Sequence, residues 1–199
     1  MVGKNICIPI FIIDFMNQFR GFIAVELPVN ETIKKFHDEI AKLLTNIKLV
    51  ELENMHITLK FLGDTNEDNI ENIYHIIQNS IQDIQPFSIQ LKGTGVFPNQ
   101  KYIKVIWVGI EKTEKMSLIS SSLNAQLSTL GFKEEKRGFK PHLTIGRVKS
   151  AIGKDQLISI IDKYREVIFD EIIVDCIYLK KSTLTPQGPI YETIKEIKF

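Results

Sequence analysis

The sequence predicts an α+β fold built from two related half-units. Strand-like and helix-like segments are interleaved along the 199 residues, but they do not alternate strictly, which argues against a doubly wound parallel sheet. A short pattern also occurs twice, as His56-Ile-Thr-Leu and as His142-Leu-Thr-Ile, each time after a predicted helix of similar length. This repetition of a helix followed by a histidine-bearing strand indicates the two half-units.

The elements of the first half follow from apolar spacing and from the residues that end them. A strand over 20–27 ends at Pro28, and Asn30 can cap the helix that follows. The strand that begins at His56 runs to residue 62 and is closed by the turn signal Gly63-Asp64. A second helix carries its apolar positions at Ile70, Ile73, Tyr74, Ile77 and Ile81.

The second half repeats this alternation with more strands. Two strands come first, and a third helix then ends at Gly131, a residue that readily adopts the left-handed conformation of a helix C-terminus. A charged loop leads to the strand of His142, and a fourth helix follows. The predicted ranges are strands over 87–91 and 104–110, the loop over 133–140, a helix over 155–165, and strands over 167–179 and 190–198.

Composition and charge limit the function classes. The chain is 44% hydrophobic and has a formal net charge of +1, which suits one compact domain or two lobes that share a core. So small a charge argues against a protein that coats long nucleic acids, but it permits a local patch that grips one phosphate. Cys7 and Cys176 form no metal-binding spacing, so we expect a reduced, cytosolic protein without a structural zinc site.

Residues 1–18 form an extension to the domain predicted over 19–199. Residues 6–15 are mostly apolar, but the stretch is too short to span a membrane, and Asp14 interrupts it without a cleavage signal after it. Two interpretations remain open: an added strand or hydrophobic tail, or translation that truly starts at Met16. No other stretch is long and apolar enough for a membrane helix, so no membrane partner is expected.

The repeated pattern is suited to acid–base chemistry on a phosphate. Side chains alternate along a strand, so in each copy the His and the Thr share a face about 6–7 Å apart, while the apolar residues face a core. Two imidazoles can remove one proton and deliver another near neutral pH, and two hydroxyls can donate hydrogen bonds to phosphoryl oxygens. The alternative is two half-buried structural histidines bonded to backbone. His37 and His75 are predicted to be surface residues.

Four blocks of the sequence resemble a known family. They are Arg-Gly-Phe-Ile-Ala-Val-Glu-Leu-Pro over 20–28, His-Ile-Thr-Leu-Lys-Phe-Leu-Gly over 56–63, Phe-Lys-Pro-His-Leu-Thr-Ile-Gly-Arg-Val over 139–148, and Lys-Ser-Thr-Leu-Thr-Pro-Gln-Gly-Pro-Ile-Tyr-Glu over 181–192. In order and spacing they are similar to the RNA 2′,3′-cyclic phosphodiesterases, also called 2′-5′ RNA ligases, of the two-histidine phosphoesterase superfamily. The resemblance runs from about residue 19 to the end.

The resemblance implies a bilobal fold with a pseudo-twofold axis, in which the two histidine strands face each other across a cleft. It implies hydrolysis of a terminal 2′,3′-cyclic phosphate on RNA to a 2′-phosphate, without metal or other cofactor. His56 would protonate the leaving 3′-oxygen and His142 would activate water, while Thr58, Thr144 and Arg147 would bind the phosphate. The expected partners are RNA 3′ ends bearing a cyclic phosphate, with tRNA fragments as one candidate source, and a monomer is expected.

Strand alternation makes further predictions beside the histidines. It places Arg147 on the face opposite His142, so either a bulge at Gly146 re-aims it or it acts from the strand end. It gives Phe61 the parity of the core residues, which favours packing over stacking on a base. The basic loop with Lys133, Lys136, Arg137 and Lys140 is either a solvated loop or a rim that guides RNA, and Phe139 beside it could stack on a base.

Two alternative functions use the same residues. In the reverse chemistry, an RNA 5′-hydroxyl replaces water and attacks the cyclic phosphate, which gives a 2′-5′ linkage. In the other, the protein is a binding module that recognises RNA ends without turnover. Substitution of His56 and His142 distinguishes an enzyme from a binding module.

Overall fold

Two antiparallel sheets and four helices make up the protein in a computed structural model, which describes residues 17–43, 47–150, 153–186 and 188–199. The strands of this described part are β1 (Gln18–Glu26), β2 (Ile47–Leu49), β3 (His56–Asn66), β4 (Phe87–Asn99), β5 (Tyr102–Glu111), β6 (His142–Val148), β7 (Ile168–Val174), β8 (Cys176–Leu184) and β9 (Pro189–Lys198). The helices are α1 (Glu31–Ala41), α2 (Ile70–Ile81), α3 (Glu114–Ser128) and α4 (Lys154–Lys163).

The sheets separate the two histidine strands. The first sheet has the order β3-β1-β8-β9, and the second has the order β2-β6-β5-β4-β7. Every neighbouring pair is antiparallel, so the predicted α+β class is confirmed. β3 carries His56 in the first sheet, and β6 carries His142 in the second.

The helices cover one face of each sheet. Asn30 caps helix α1. Its side-chain oxygen accepts a hydrogen bond from the Ile33 amide at 3.0 Å, and its side-chain amide group donates to the carbonyl of Phe169 in β7 at 2.6 Å. This cap therefore also fastens α1 to the second sheet, where α4 packs beside it. Helices α2 and α3 pack on each other and on the first sheet.

The chain passes repeatedly from one sheet to the other. After β1 it leaves the first sheet for α1 and β2, returns for β3 and α2, and leaves again for β4 and β5. It then returns for α3, crosses back for β6, α4 and β7, and ends with β8 and β9 in the first sheet. The helix before each histidine strand therefore packs on the opposite sheet, and both lobes contain segments from both halves of the sequence.

One contiguous apolar cluster lies under both sheets. It includes Ile57 and Leu59 beneath the first histidine strand, and Leu143 and Ile145 beneath the second. Each of these four side chains is buried, and full burial of such a side chain contributes roughly 1.5–3 kcal/mol. The apolar residues of the repeated pattern thus hold both histidine strands against the core.

Four predictions about the strands were wrong. The strand of His56 does not end at residue 62 before a turn at Gly63-Asp64, since β3 continues to Asn66. The predicted strand over 167–179 is two strands that meet at Asp175, since β7 ends at the edge of the second sheet and β8 enters the middle of the first. The short strand β2 lies where none was predicted, and β4 continues to Asn99 instead of ending at residue 91. Most of the predicted extension over 1–18, including Met16, lies outside the described residues.

Among the residues that the structure describes, no helix is both long enough and apolar enough to cross a membrane.

Candidate active site

Both histidines stand at the first position of their strands, on the face that the helices leave uncovered. His56 and Thr58 are partly exposed, while the residues between and after them are buried. His142 and Thr144 repeat this arrangement in β6. No protein group in the described part of the chain hydrogen-bonds to either threonine hydroxyl, so both can donate to a ligand.

The two imidazoles are oriented by equivalent hydrogen bonds. Nδ1 of His56 lies 2.8 Å from the carbonyl oxygen of Asn54, and Nδ1 of His142 lies 2.7 Å from that of Lys140, two residues earlier in each case. A carbonyl oxygen only accepts hydrogen bonds, so Nδ1 carries the hydrogen in both rings. Each Nε2 is therefore the atom left to accept or deliver a proton.

Aromatic side chains from neighbouring strands also fix the rings. Tyr191 of β9 meets His56 edge to face, with ring centroids 5.2 Å apart at 90°. Phe97 of β4 meets His142 in the same way, at 5.1 Å and 88°. Phe22 packs on His56 at 4.9 Å, and Trp107 packs behind Phe97 at 5.3 Å.

Sequence reasoning did not assign these aromatic residues to the site. Phe22 and Tyr191 lie in blocks that carry the family resemblance, which is the signal that could have identified them. Phe97 and Trp107 lie in no such block. Only the pairing of β4, β5 and β6 brings them to His142.

The electrostatic surroundings of His56 favour its neutral form. Burial lowers the pKa of His56 below the ordinary value of 6.5, and positive charges on Lys180 and His142 lower it further. The bond to Asn54 and the carboxylate of Glu26 act in the opposite direction. The strands that carry the two histidines, β3 and β6, contact each other where the two sheets meet.

A charged pair lies beside His56 on the same face of the sheet. Glu26 is the cross-strand partner of His56, and its carboxylate accepts a hydrogen bond from the ammonium group of Lys180 in β8. Lys180 is buried and also donates to the hydroxyl of Thr193 at 3.2 Å. The pair holds two opposite charges next to the imidazole, and neither residue was predicted from the sequence.

A bulge in β6 decides where Arg147 points. In β5, Val105 and Trp107 share a face, and they pair with Arg147 and Thr144. Only two positions separate the β5 residues, whereas three separate those of β6, so β6 contains one extra residue, Ile145. Arg147 therefore lies on the face of Thr144 and is exposed there. Of the two sequence alternatives, a bulge just before Gly146 is the one present.

The position of Arg147 connects the two sheets across the cleft. Its positive charge acts on the hydroxyl of Tyr191, whose pKa is raised by burial and lowered by Arg147. Tyr191 in turn packs on His56. The charge of Arg147 in the second sheet thus acts on an aromatic neighbour of the histidine in the first.

The prediction for Phe61 was wrong. β3 contains extra residues at Leu59 and Leu62, and the first of these bulges moves Phe61 to the face of His56 and Thr58. Its side chain is 69% exposed instead of packed in the core. Phe61 thus occupies, five residues after His56, the position that Arg147 occupies five residues after His142.

Buried Lys60 anchors the loop that leads to His142. Its ammonium group donates to the side-chain oxygen of Asn124 at 2.5 Å and to the carbonyl of Lys133 at 2.7 Å, and Asn124 accepts a second bond from the Glu135 amide. Burial lowers the pKa of Lys60. Lys133, Lys136, Arg137 and Lys140 are exposed along this loop, whereas Phe139 packs on the core.

The other two histidines differ from each other. His75 is exposed on α2, where its ring lies 3.2 Å from the side chain of Gln78. His37 was predicted to lie at the surface, but only 14% of its side chain is exposed, and its Nε2 lies 3.1 Å from the carbonyl oxygen of Val50. His37 therefore links α1 to the segment after β2 and lies outside the catalytic cleft.

In the described part of the chain, no group of three or more His, Cys, Asp or Glu side chains is arranged to hold a metal ion.

Comparison with known proteins identifies the class to which this fold and cleft belong. A solved protein of Thermus thermophilus has a TM-score of 0.76 and 26% identity, with 90% of this chain and 97% of that one covered. LigT of Escherichia coli, solved in complex with 3′-AMP, has a TM-score of 0.70 and 20% identity over 91% and 98% of the two chains. The fold is that of the LigT-like phosphoesterases.

The family follows from the sequence comparisons. The family model of the 2′-5′ RNA ligase superfamily matches residues 30–173. The RNA 2′,3′-cyclic phosphodiesterase of Methanocaldococcus jannaschii is 46% identical over 179 residues, which are 89% of this chain and 99% of that protein. That of Thermotoga maritima is 38% identical over 90% and 95% of the two chains. The chain belongs to the 2′-5′ RNA ligase superfamily, as its motifs predict, and the relatives' names agree with an enzyme rather than a binding module.

Proposed function

We propose that the protein hydrolyses the terminal 2′,3′-cyclic phosphate of RNA to a 2′-phosphate by metal-independent acid–base catalysis. The observation that carries the proposal is the pair of imidazoles in one cleft, each held through Nδ1 by a backbone carbonyl so that Nε2 is available. The names of the relatives supply the substrate class.

The proposed steps balance one proton taken with one delivered. Nε2 of His142 accepts a proton from water as the water oxygen attacks phosphorus. The bond from phosphorus to the 3′-oxygen breaks, and Nε2 of His56 delivers its proton to that oxygen. Thr58, Thr144 and Arg147 donate hydrogen bonds to the non-bridging oxygens, where negative charge is held throughout the reaction.

The lowered pKa of His56 bears on its proposed role as proton donor. This pKa favours a neutral ring, whereas the donor must be protonated when the reaction starts. The cyclic phosphate is an anion, and an anion beside an imidazole stabilises the charged ring and raises its pKa. Binding of the anionic substrate therefore favours the protonated form of His56, which can donate a proton.

A nuclear magnetic resonance titration tests whether a bound phosphate raises the pKa of His56. In the free protein, the His56 ring is expected to titrate below 6.5. A saturating nucleoside 2′-phosphate, which is the product, should shift the midpoint upward, because its negative charge favours the imidazolium. The exposed ring of His75 serves as the internal reference. An unchanged or lowered midpoint for His56 would contradict the contact between this ring and the phosphate.

The proposed reaction is tested by product analysis. The protein is incubated with an RNA that ends in a 2′,3′-cyclic phosphate, with and without a chelator of divalent metals, and the position of the product phosphate is determined. We expect a 2′-phosphate and equal rates in both samples. A 3′-phosphate would reverse the assignment of the leaving oxygen, and loss of activity with the chelator would overturn the metal-independent mechanism. A 5′-hydroxyl RNA in a parallel sample tests for the 2′-5′ linkage of the reverse reaction.

A further inference from the structure

A cavity lined by lysines lies at the end of β6 away from His142. It is a cavity of about 200 Å³ between the start of β5, the end of β6 and the start of α4. We call this cavity the lysine pocket. Its polar lining consists of Lys101, Tyr102, Lys104, Lys149, Ser150 and Lys154, and its apolar lining of Ile47, Ile103, Val148 and Leu157.

The lysine pocket concentrates positive charge in a protein whose net charge is only +1. No acidic side chain lines it, and none of its four lysines forms a salt bridge within the described residues. The ammonium group of Lys154 donates to the carbonyl of Lys101 at 3.1 Å, which leaves its charge in place. Four positive charges on residues that line one cavity repel each other, and a bound anion would relieve that repulsion. These positive charges therefore favour an anionic ligand.

Two further groups in the lysine pocket are suited to an anion. The hydroxyl of Ser150 is buried and has no hydrogen-bonding partner in the described part of the chain. Helix α4 begins here, at Lys154, and no side chain caps its first amide groups. Unsatisfied donors at a helix N-terminus favour a negatively charged group, so the lysines, the hydroxyl and the helix act in the same direction.

The size of the lysine pocket indicates how much of a ligand it takes. Pockets for small molecules usually measure about 300–1,000 Å³, so a volume of about 200 Å³ suits a phosphate group better than a whole nucleotide. Tyr102 at its edge is 59% exposed, and the ammonium group of Lys104 lies 5.0 Å from the centre of its ring. An exposed aromatic ring beside a phosphate site provides a surface on which a base can stack.

The lysine pocket lies beyond the far end of the strand that carries His142. Val148 and Leu157 line it from the helix-covered side of the sheet, whereas Lys149 alternates back to the side of Arg147. His142, Thr144 and Arg147 follow each other along the open face of β6, and Lys149 comes directly after the strand. At about 3.3 Å per residue, the pocket lies roughly 20 Å from His142. A nucleic acid strand whose end lies between the histidines could follow β6 over this distance.

We propose that the lysine pocket binds a backbone phosphate of the RNA strand, several nucleotides upstream of the cyclic end. This subsite rests on the proposed function of the catalytic cleft, since it orients an RNA whose terminus is the substrate. Phosphate contacts of this kind fix the position of a strand without reading its sequence. The enzyme therefore prefers an oligonucleotide to a mononucleotide and accepts many sequences.

The test compares substrates of two lengths and two double variants. K104Q/K149Q removes two charges from the lysine pocket, and the control K34Q/K195Q removes two exposed or partly exposed charges on the helix-covered side of the protein. Adenosine 2′,3′-cyclic phosphate reaches only the cleft, whereas an oligoribonucleotide with a cyclic phosphate end reaches both sites. Turnover of both substrates is measured over a range of salt concentrations.

We expect K104Q/K149Q to raise KM for the oligonucleotide by about tenfold and to leave kcat on both substrates unchanged. The salt dependence of kcat/KM for the oligonucleotide should become shallower by a logarithmic slope of about 1.4, which is about 0.7 for each lost contact to a single strand. The mononucleotide should show no change with either double variant. The control should match the wild type on both substrates.

Several results would overturn the subsite. Equal KM values of the wild type for both substrate lengths, or equal losses of K104Q/K149Q on both, would exclude an upstream RNA contact. Binding of inorganic phosphate that the variant loses, without any length preference, would identify a site for a small anion instead.

The catalytic and binding proposals can fail separately. Fluorescence anisotropy with an RNA that ends in a 2′-phosphate measures binding without turnover. If the wild type does not hydrolyse either substrate but K104Q/K149Q still weakens this binding, only the catalytic proposal fails.

Discussion

His56→Ala and His142→Ala are each expected to lower kcat on an RNA 2′,3′-cyclic phosphate by about 10²–10⁴-fold, because each removes one proton-transfer group. His75→Ala is the matched control, since His75 is exposed on α2 and distant from the cleft. It should retain wild-type activity. Thermal unfolding of all three variants checks that the fold is intact.

The roles of the two rings are separated by a substrate with sulfur in place of the 3′-oxygen. A thiolate leaves without needing a proton, so the variant that lacks the acid should recover most of its activity on this substrate. We expect recovery for His56→Ala and none for His142→Ala. Recovery of His142→Ala alone would exchange the two assignments, and activity of both variants near that of the wild type would refute catalysis by the pair.

Arg147→Ala is expected to lower kcat/KM by about 10²–10³-fold, the loss typical when one donor to a developing oxyanion is removed. Arg147→Lys should lie between this variant and the wild type, because an ammonium keeps the charge but loses the planar pair of donors. The measurement is turnover of the RNA substrate, with inhibition by the 2′-phosphate product as a second readout.

Arg165→Ala is the control for Arg147. Arg165 follows α4 and pairs with Asp162, on the helix side of the second sheet. Since both arginines are exposed, neither substitution should change the free energy of unfolding by more than about 0.5 kcal/mol. An Arg147→Ala enzyme within twofold of the wild type would exclude this guanidinium from phosphate binding.

The faces of the histidine strands could be predicted because a strand has a side-chain period of two. Ile57 and Leu143 are buried while His56 and His142 are partly exposed, as the alternation requires. The same rule fails after a bulge, because one extra residue exchanges the two faces. Phe61 was therefore predicted on the wrong face.

Bulges and aromatic neighbours depend on pairing between distant segments. Gly146 made a bulge in β6 one of two alternatives, but only the pairing with β5 shows that the bulge is present and that Ile145 is the extra residue. Phe97 reaches His142 for the same reason, since β5 lies between their strands. Likewise the apolar segment over 167–179 reads as one strand, and only its division between two sheets shows the break at Asp175. These features belong to the tertiary structure.

The repeated crossing of the chain between the sheets makes the folding of each lobe depend on the other. Because each lobe contains segments from both halves of the sequence, no single cut yields one complete lobe. His56 and His142 therefore stand on intact sheets only when segments from both halves of the chain have folded together. The repeated motif suggests two separable modules in the sequence, but the two sheets that carry it form one domain that cannot be divided at a single point of the chain.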